Sequence, residues 1–422
     1  MPVKIDPAAL LAHARGDREL THRLRGFSGT IDLSFLDPAL ELQVEDGKVG
    51  NIVPATGSAR VRFTRLPQSW WDKAMGPEIV AGFESLTTAW GQGLKLEGLE
   101  LDEYATWFGG FGRLFEVVRT TIHGPISNQA PNDLFRDTDN AVGRYAYVKA
   151  NGKEARMYYE ESGEGDVVLL MQHTAGGDAR QWRHQLADPE LQKRCRLIAY
   201  DLPWHGRSLP PLGEAWWEDD YSTSKEQLMN WVVGLIETLG LDRPIFMGCS
   251  IGGNLALDLA CHHHDKFRGF VALNGWYCPR PHEGPRMNVP FRDPNVSRDI
   301  YAALCYNTTS PQAPPAFRQE IYFNYSTGFQ GVFAGDNDYF MYGHDLRQDG
   351  HLMRPDLTPV YLLVGEYDGA ARDAECGGPA VPKHIPGVIY REMPGLSHFA
   401  PTDNPLVFRE ELFPVLDAIL AR

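Results

Sequence analysis

No stretch of this 422-residue sequence is long and charge-free enough to span a bilayer. The opening Met1-Pro-Val-Lys-Ile-Asp-Pro also lacks the sustained apolar core of a secretory signal, so the expectation is a cytoplasmic protein without membrane insertion. Cysteine is scarce. The six present (Cys195, Cys249, Cys261, Cys278, Cys305, Cys376) form no C-x-x-C pair, which argues against a disulfide framework or a structural zinc site and for reduced thiols. Positive charge is outnumbered, 40 Lys and Arg against 55 Asp and Glu, for a net charge of -15. A phosphate-neutralising surface needs clustered Lys and Arg, so nucleic acid is excluded as a partner and an anionic membrane surface is disfavoured. Neither G-x-G-x-x-G nor a P-loop is present to cradle a nucleotide. What remains is ordinary for a globular chain, 43% hydrophobic and 23% charged, with length for two or three units that each bury a core.

The most informative stretch is Pro244-Ile-Phe-Met-Gly248-Cys-Ser250-Ile-Gly252-Gly253. A short apolar run reads as a buried strand, G-x-S-x-G follows, and Asn254-Leu-Ala-Leu-Asp-Leu-Ala260 continues with helical spacing. A serine on a strained strand-to-helix turn has its hydroxyl pushed out of the sheet, and side chains at Gly248 or Gly252 would collide with neighbouring backbone. Ser250 is therefore the candidate nucleophile, and the bland alternative is an ordinary glycine-rich turn.

Before this stretch the chain divides in two. Residues 1–122 begin with a polar segment. Alternating runs follow at Thr30–Phe35, Leu40–Val44, Lys48–Val53 and Ala59–Phe63, then helical spacing from Gln68 to Trp90, a strand at Gly93–Glu97, and a helix from Leu101 to Val118 interrupted near Gly109-Gly110. This is an antiparallel α+β pattern. Residues 123–143, rich in turn formers, read as a linker. From Arg144 a hairpin leads into short apolar runs (Asp166–Met171, Arg196–Tyr200, Phe267–Asn274, Pro359–Gly365, Val388–Met393) separated by helical segments, as in a mostly parallel sheet flanked by helices. The alternation breaks between about 277 and 356, where short helices punctuated by Pro, Asn and aromatics read as a cap inserted over the sheet.

A serine hydroxyl needs a base. Among fourteen histidines, His398 follows the last predicted strand, and its loop opens at the carboxyl edge of the sheet, as the Ser250 turn does. The imidazole needs a carboxylate. Asp368 follows the preceding strand on the same edge, with Glu366 and Asp373 as competitors. The order Ser250, Asp368, His398 is that of one class of hydrolase and differs from the chymotrypsin and subtilisin orders.

With Gly248-Cys-Ser250-Ile-Gly252, Gly365-Glu-Tyr-Asp368, Gly395-Leu-Ser-His398 and Asp201-Leu-Pro-Trp-His205-Gly-Arg-Ser208 in this order, the chain from about Arg144 resembles a capped α/β-hydrolase. The resemblance implies an oxyanion hole. One donor would be the Ile251 N–H. The other would come from Gln172-His173-Thr174-Ala175-Gly176-Gly177, where the family's His-Gly is His173-Thr174; Ala175 is chosen ahead of Thr174. No cofactor and no metal is required. Residues 1–122 loosely resemble a sterol-carrier-protein type of domain, against the plainer reading of a domain that packs on the enzyme core or makes a dimer contact.

The expected activity is a serine hydrolase acting through an acyl-enzyme. Aromatic residues of the cap, with Trp276, Tyr277, Tyr322, Phe329 and Phe333 named as substrate contacts, would suit an apolar or aromatic carboxylic ester or lactone. Carbon–carbon cleavage of a β-diketone or ring-cleavage type of substrate is the runner-up, and a non-hydrolytic binding protein on the same fold the third reading. The partner expected is a small-molecule substrate; a homodimer is the default for a soluble assembly. Cys261-His262-His263-His264-Asp265 reads as a solvated helix end, His205 and Asp201 as structural, and His344-Asp345 as either a substrate contact or a surface pair.

Overall fold

The structure is a computed structural model describing residues 3–126, 139–280, 289–293 and 296–422; most of the expected linker, 127–138, lies outside the described residues. The first segment is helical. Asp6 accepts from the Ala8 N–H at the start of α1 (Pro7–Gly16), with Pro7 at the first helical position, and Asp17 accepts from Leu20 at the start of α2 (Arg18–Arg23). The strands β1 (Gly29–Leu33), β2 (Leu40–Glu45) and β3 (Lys48–Pro54) form an antiparallel sheet that buries Ile31, Leu33, Leu42 and Val44 on one face. The run at Ala59–Phe63 bridges Ile31 through Val61 and pairs as a strand at Arg62–Phe63, against Leu96–Glu97.

One expectation is overturned by α3 (Leu101–His123), which runs uninterrupted through Gly109 and Gly110. These glycines serve close approach. A Cβ at Gly110 would overlap the side chain of Leu24, which caps the end of α2, and one at Gly109 would lie 3.1 Å from Ala303. Tertiary contact outweighs the helix propensity lost at each glycine, about 1 kcal/mol.

The second unit is built on an eight-stranded sheet. Its strands are β4 (Val142–Ala150), β5 (Lys153–Ser162), β6 (Val168–Gln172), β7 (Arg196–Tyr200), β8 (Ile245–Cys249), β9 (Gly269–Leu273), β10 (Val360–Gly365) and β11 (Ile389–Met393). The spatial order is β11-β10-β9-β8-β6-β7-β5-β4, parallel from β11 to β7, with β5 antiparallel to its neighbours. The inner strands are buried on both faces. Leu170, Ile198, Phe246 and Phe270 pack toward α4 (Lys225–Leu239) and α5 (Ile251–His262), while Leu169, Leu197, Met247 and Val271 pack toward α9 (Pro405–Leu420). Ser224 begins α4 with a capping box to Gln227.

Because β6 lies between β7 and β8, the chain leaves β6 to one side and returns on the other. The loops after β6 and β8 therefore part at a switch point on the carboxyl edge. Between β9 and β10 lie α6 (Asp299–Tyr306), α7 (Pro315–Ser326) and α8 (Val332–Asp338). Their apolar faces are continuous with the N-terminal core: Phe108, Phe111 and Leu114 of α3 share one cluster with Ile300, Ala303 and Ile321.

Candidate active site

Ser250 sits between β8 and α5 at φ 60° and ψ −113°, a left-handed conformation that costs a non-glycine residue about 1–3 kcal/mol. Its surroundings hold it there. A Cβ at Gly248 would overlap the Gly252 carbonyl, and one at Gly252 would lie 2.8 Å from the Gln172 carbonyl oxygen. The Ser250 N–H donates to Leu273 O at 2.9 Å, tying the turn to the end of β9.

On the same edge, Asp368 Oδ2 accepts from His398 Nδ1 at 2.6 Å, and Asp368 Oδ1 accepts from the Ala371 N–H at 3.0 Å. Burial pushes the Asp368 carboxyl up, but His398 and that backbone donor outweigh it and hold the carboxyl below its ordinary value. The competitors are committed elsewhere. Glu366 accepts from the Gly395 N–H at 2.8 Å, and Asp373 accepts from Glu375 and Cys376 at 2.9 and 2.8 Å.

The loop after β6 sorts its own donors. The Thr174 N–H donates to Gln181 Oε1 at 2.9 Å, and the Gly176 N–H donates to Asp336 Oδ2 at 2.8 Å. Ala175 lies between them, 4% exposed, and among the described residues its N–H meets no acceptor. The Ile251 N–H, in the fully buried first turn of α5, has none either. Buried backbone N–H groups are almost always paired, so these two open ones stand out.

Three polar residues escape the sequence reading. Asn274, fully buried at φ 55°, donates from Nδ2 to Ser397 O at 3.2 Å and His398 O at 3.0 Å, and its Oδ1 accepts from the Gly365 N–H at 2.8 Å. It links the end of β10 to the histidine loop. The Cys249 thiol donates to His398 O at 3.2 Å, and burial pushes that thiol's pKa up, so it stays protonated. Asp336 joins α8 to His205, Nε2 to Oδ2 at 2.7 Å. His205 Nδ1 faces Pro203 O at 2.9 Å, so both ring nitrogens meet acceptors, an arrangement that favours the protonated ring. Burial lowers its pKa, yet Asp336 outweighs burial and raises it. His173, whose ring lies 4.7 Å from that of His205, is neutral: burial and the neighbouring cation push it down to about 4, and its Nε2 accepts from the Leu202 N–H. His344 is no surface residue. It is buried, with Nδ1 on Asp258 Oδ1 and Nε2 on Trp276 O, both at 2.9 Å.

The five aromatic substrate candidates separate. Phe333 packs on Tyr301 at 5.1 Å and approaches Gly176 of the loop after β6. Trp276 packs on Phe340 at 4.5 Å, and Phe340 in turn lies 6.4 Å from the His398 ring. The other three lie elsewhere. Tyr277 stacks on His384 at 4.5 Å, Tyr322 lies under Arg23 of the N-terminal domain at 4.7 Å, and Phe329 is 42% exposed beside Trp204 and Trp216. Among the described residues no group of three or more His, Cys, Asp or Glu is placed to hold a metal, and no helix is long and apolar enough to cross a membrane.

Residues 167–309 match the family described as the alpha/beta hydrolase fold. A thermophilic esterase from Thermogutta terrifontis superposes with a TM-score of 0.54 at 20% identity, over 66% of this chain and 99% of that one. The enol-lactonase from Burkholderia xenovorans does so with 0.53 at 23%, over 65% and 100%. The second unit thus has the α/β-hydrolase fold, with the mostly parallel sheet and flanking helices that its sequence patterning anticipates. A 2-hydroxy-6-oxononadienedioate/2-hydroxy-6-oxononatrienedioate hydrolase of Burkholderia vietnamiensis is 27% identical over 175 residues, 39% of this chain and 58% of that protein. The match spans little more than half the length of that relative.

Proposed function

We propose that the protein is a serine hydrolase that cleaves a carboxylic ester or lactone of an apolar or aromatic substrate through an acyl-enzyme on Ser250. The observation that carries this reading is the convergence, on one sheet edge, of a strained serine, a His398–Asp368 pair and two buried, open N–H groups. His398 takes the Ser250 proton as Oγ bonds to the carbonyl carbon. Asp368, kept ionised, holds Nδ1 and stabilises the imidazolium. Ile251 and Ala175 donate to the oxygen as it becomes an anion, each worth about 3–4 kcal/mol in comparable sites. The imidazolium protonates the leaving oxygen, and water deprotonated by His398 then releases the acid and frees Ser250. No step calls for a cofactor. The names of the esterase and lactonase neighbours agree with this chemistry; carbon–carbon cleavage is kept as the second reading because the Burkholderia vietnamiensis relative is named a hydrolase of an oxononadienedioate.

For the N-terminal domain we propose a structural role, bracing the inserted helices, ahead of a lipid-carrier role; the shared core of α3, α6 and α7 supports it.

A fluorophosphonate probe tests the mechanism. Native protein should be labelled at Ser250, and Ser250→Ala should lose both labelling and at least ~10⁴-fold of its activity. An unlabelled Ser250 with activity intact in the alanine variant would sink the hydrolase reading. An aryl-ester and lactone panel run beside a ring-cleavage dienone panel decides between the two substrate classes.

A further inference from the structure

The loop carrying the open Ala175 N–H is gripped by the inserted helices as well as by the sheet. Asp336, fully buried on α8, is its main hold: Oδ2 accepts from the Gly176 N–H at 2.8 Å and from His205 Nε2 at 2.7 Å, and Oδ1 accepts from the Tyr221 hydroxyl at 3.0 Å. On the other side of Ala175, the Thr174 hydroxyl is hydrogen-bonded to the Tyr325 hydroxyl at the end of α7. Further along the same segment, Arg180 Nη2 donates to Thr327 Oγ1 at 2.7 Å, and His184 Nε2 pairs with Glu320 Oε2 at 2.9 Å.

The consequence is geometric. A peptide N–H points where its two flanking peptides let it point, and here both flanks are tied to the insertion. Gly176 adopts φ +63°, and a Cβ there would lie 2.9 Å from the Phe333 side chain.

We propose that Asp336 is a positioning residue for the oxyanion hole, aiming the Ala175 N–H by holding the neighbouring Gly176 N–H and His205. The inserted helices then complete the catalytic apparatus rather than merely covering it. This rests on the hydrolase reading, with Ala175 as one oxyanion donor.

The test compares full-length wild type, Asp336→Ala, Asp336→Asn and Ser250→Ala with 4-nitrophenyl butyrate as substrate and phenylboronic acid as the probe that forms a tetrahedral anion on the serine. Asp336→Ala should lower kcat about 10- to 1,000-fold, at most the ~10²- to 10³-fold seen on outright loss of an oxyanion donor, with KM within about threefold of wild type. Its affinity for the boronic acid should fall in step with kcat/KM. Asp336→Asn is nearly isosteric and keeps one acceptor oxygen for the Gly176 N–H, so it should recover at least tenfold of the loss; it also carries the test if the alanine variant does not fold. Equal impairment of the two variants, a loss confined to KM, or unchanged boronate affinity would overturn the positioning role while leaving the serine mechanism standing. Full hydrolysis by Ser250→Ala would instead remove the reading on which the proposal rests.

Discussion

Asn274 is the residue where three chain segments are brought into register. Its backbone N–H donates to Leu363 O in β10 at 2.9 Å, its amide oxygen accepts from Gly365 three residues before Asp368, and its amide nitrogen holds the carbonyls of Ser397 and His398. Only a side chain with both a donor and an acceptor satisfies this set. Asn274→Ala should therefore lower kcat by about 10- to 100-fold with KM nearly unchanged, because the change loosens His398 against Asp368 without touching a substrate surface. Asn274→Asp should be worse, since a carboxylate oxygen would face two carbonyl oxygens. Steady-state kinetics on the two variants checks both statements, and an aspartate variant as active as wild type would refute them. Ser250, Asp368 and His398 were legible in sequence because each lies in a short motif next to its own strand. Asn274 and Asp336 were not, because their meaning comes from partners that are 91 and 160 residues away.

Among elements, the strands of the second unit and the helical segments between them followed from apolar runs and spacing, whereas the early helices and the continuity of α3 did not. Their apolar spacing is weak, and tertiary contact decides them: α3 keeps its glycines to admit α2 and α6. Two histidine–carboxylate pairs, His205–Asp336 and His344–Asp258, anchor the later part of the inserted segment. For His344, burial lowers the pKa, but Asp258 outweighs burial and raises it above its ordinary value. A group protonated more strongly in the folded state contributes its full stabilisation below the unfolded pKa of about 6.5 and loses it as pH rises through the higher folded value. The melting temperature of wild type should accordingly exceed that of His344→Gln most below about pH 6.5, and the gap should narrow toward alkaline pH. Thermal melts from pH 5.5 to 9 read this directly; a gap that widens with pH would contradict the buried imidazolium.

At the N-terminal domain's contact with the acid loop, a second titration runs the other way in effect. Glu84 is buried with Oε2 unpartnered, and burial raises its pKa to about 7 despite backbone and Thr88 hydrogen bonds; Gly82 beside it lies 3.4 Å from where a Gly369 Cβ would sit. An acid whose folded pKa is raised disfavours the folded state progressively as pH climbs from its unfolded value to about 7. Glu84→Gln should then leave stability unchanged near pH 4.5 and raise it by about 3 kcal/mol at pH 8, where wild type carries a desolvated charge. Urea unfolding at the two pH values measures the difference.

The same domain sustains the molecule as a whole through the inserted helices. Arg318 of α7 donates to Glu116 Oε1 at 2.7 Å and to Thr309 Oγ1 at 2.9 Å; the adjacent Ser310 N–H donates to Asp403 Oδ1 at 2.8 Å, and Asp403 Oδ2 accepts from both the N–H and the hydroxyl of Ser397. The histidine loop is thus braced by a polar chain that begins in α3. Beneath it, Ile300, Ala303 and Ile321 are at most 2% exposed and share one apolar cluster with Phe108, Phe111 and Leu114 of α3. Deleting residues 1–122 would bare that apolar face and leave the part-buried Arg318 without its carboxylate. We expect the truncated chain to bind a hydrophobic dye, to aggregate, and to lose hydrolysis, whereas Glu116→Gln in the full chain should fold, melt several degrees lower and keep KM. A truncated chain that stayed monomeric with wild-type kcat would show that the inserted helices and the histidine loop hold their places unaided, and the bracing role would fall.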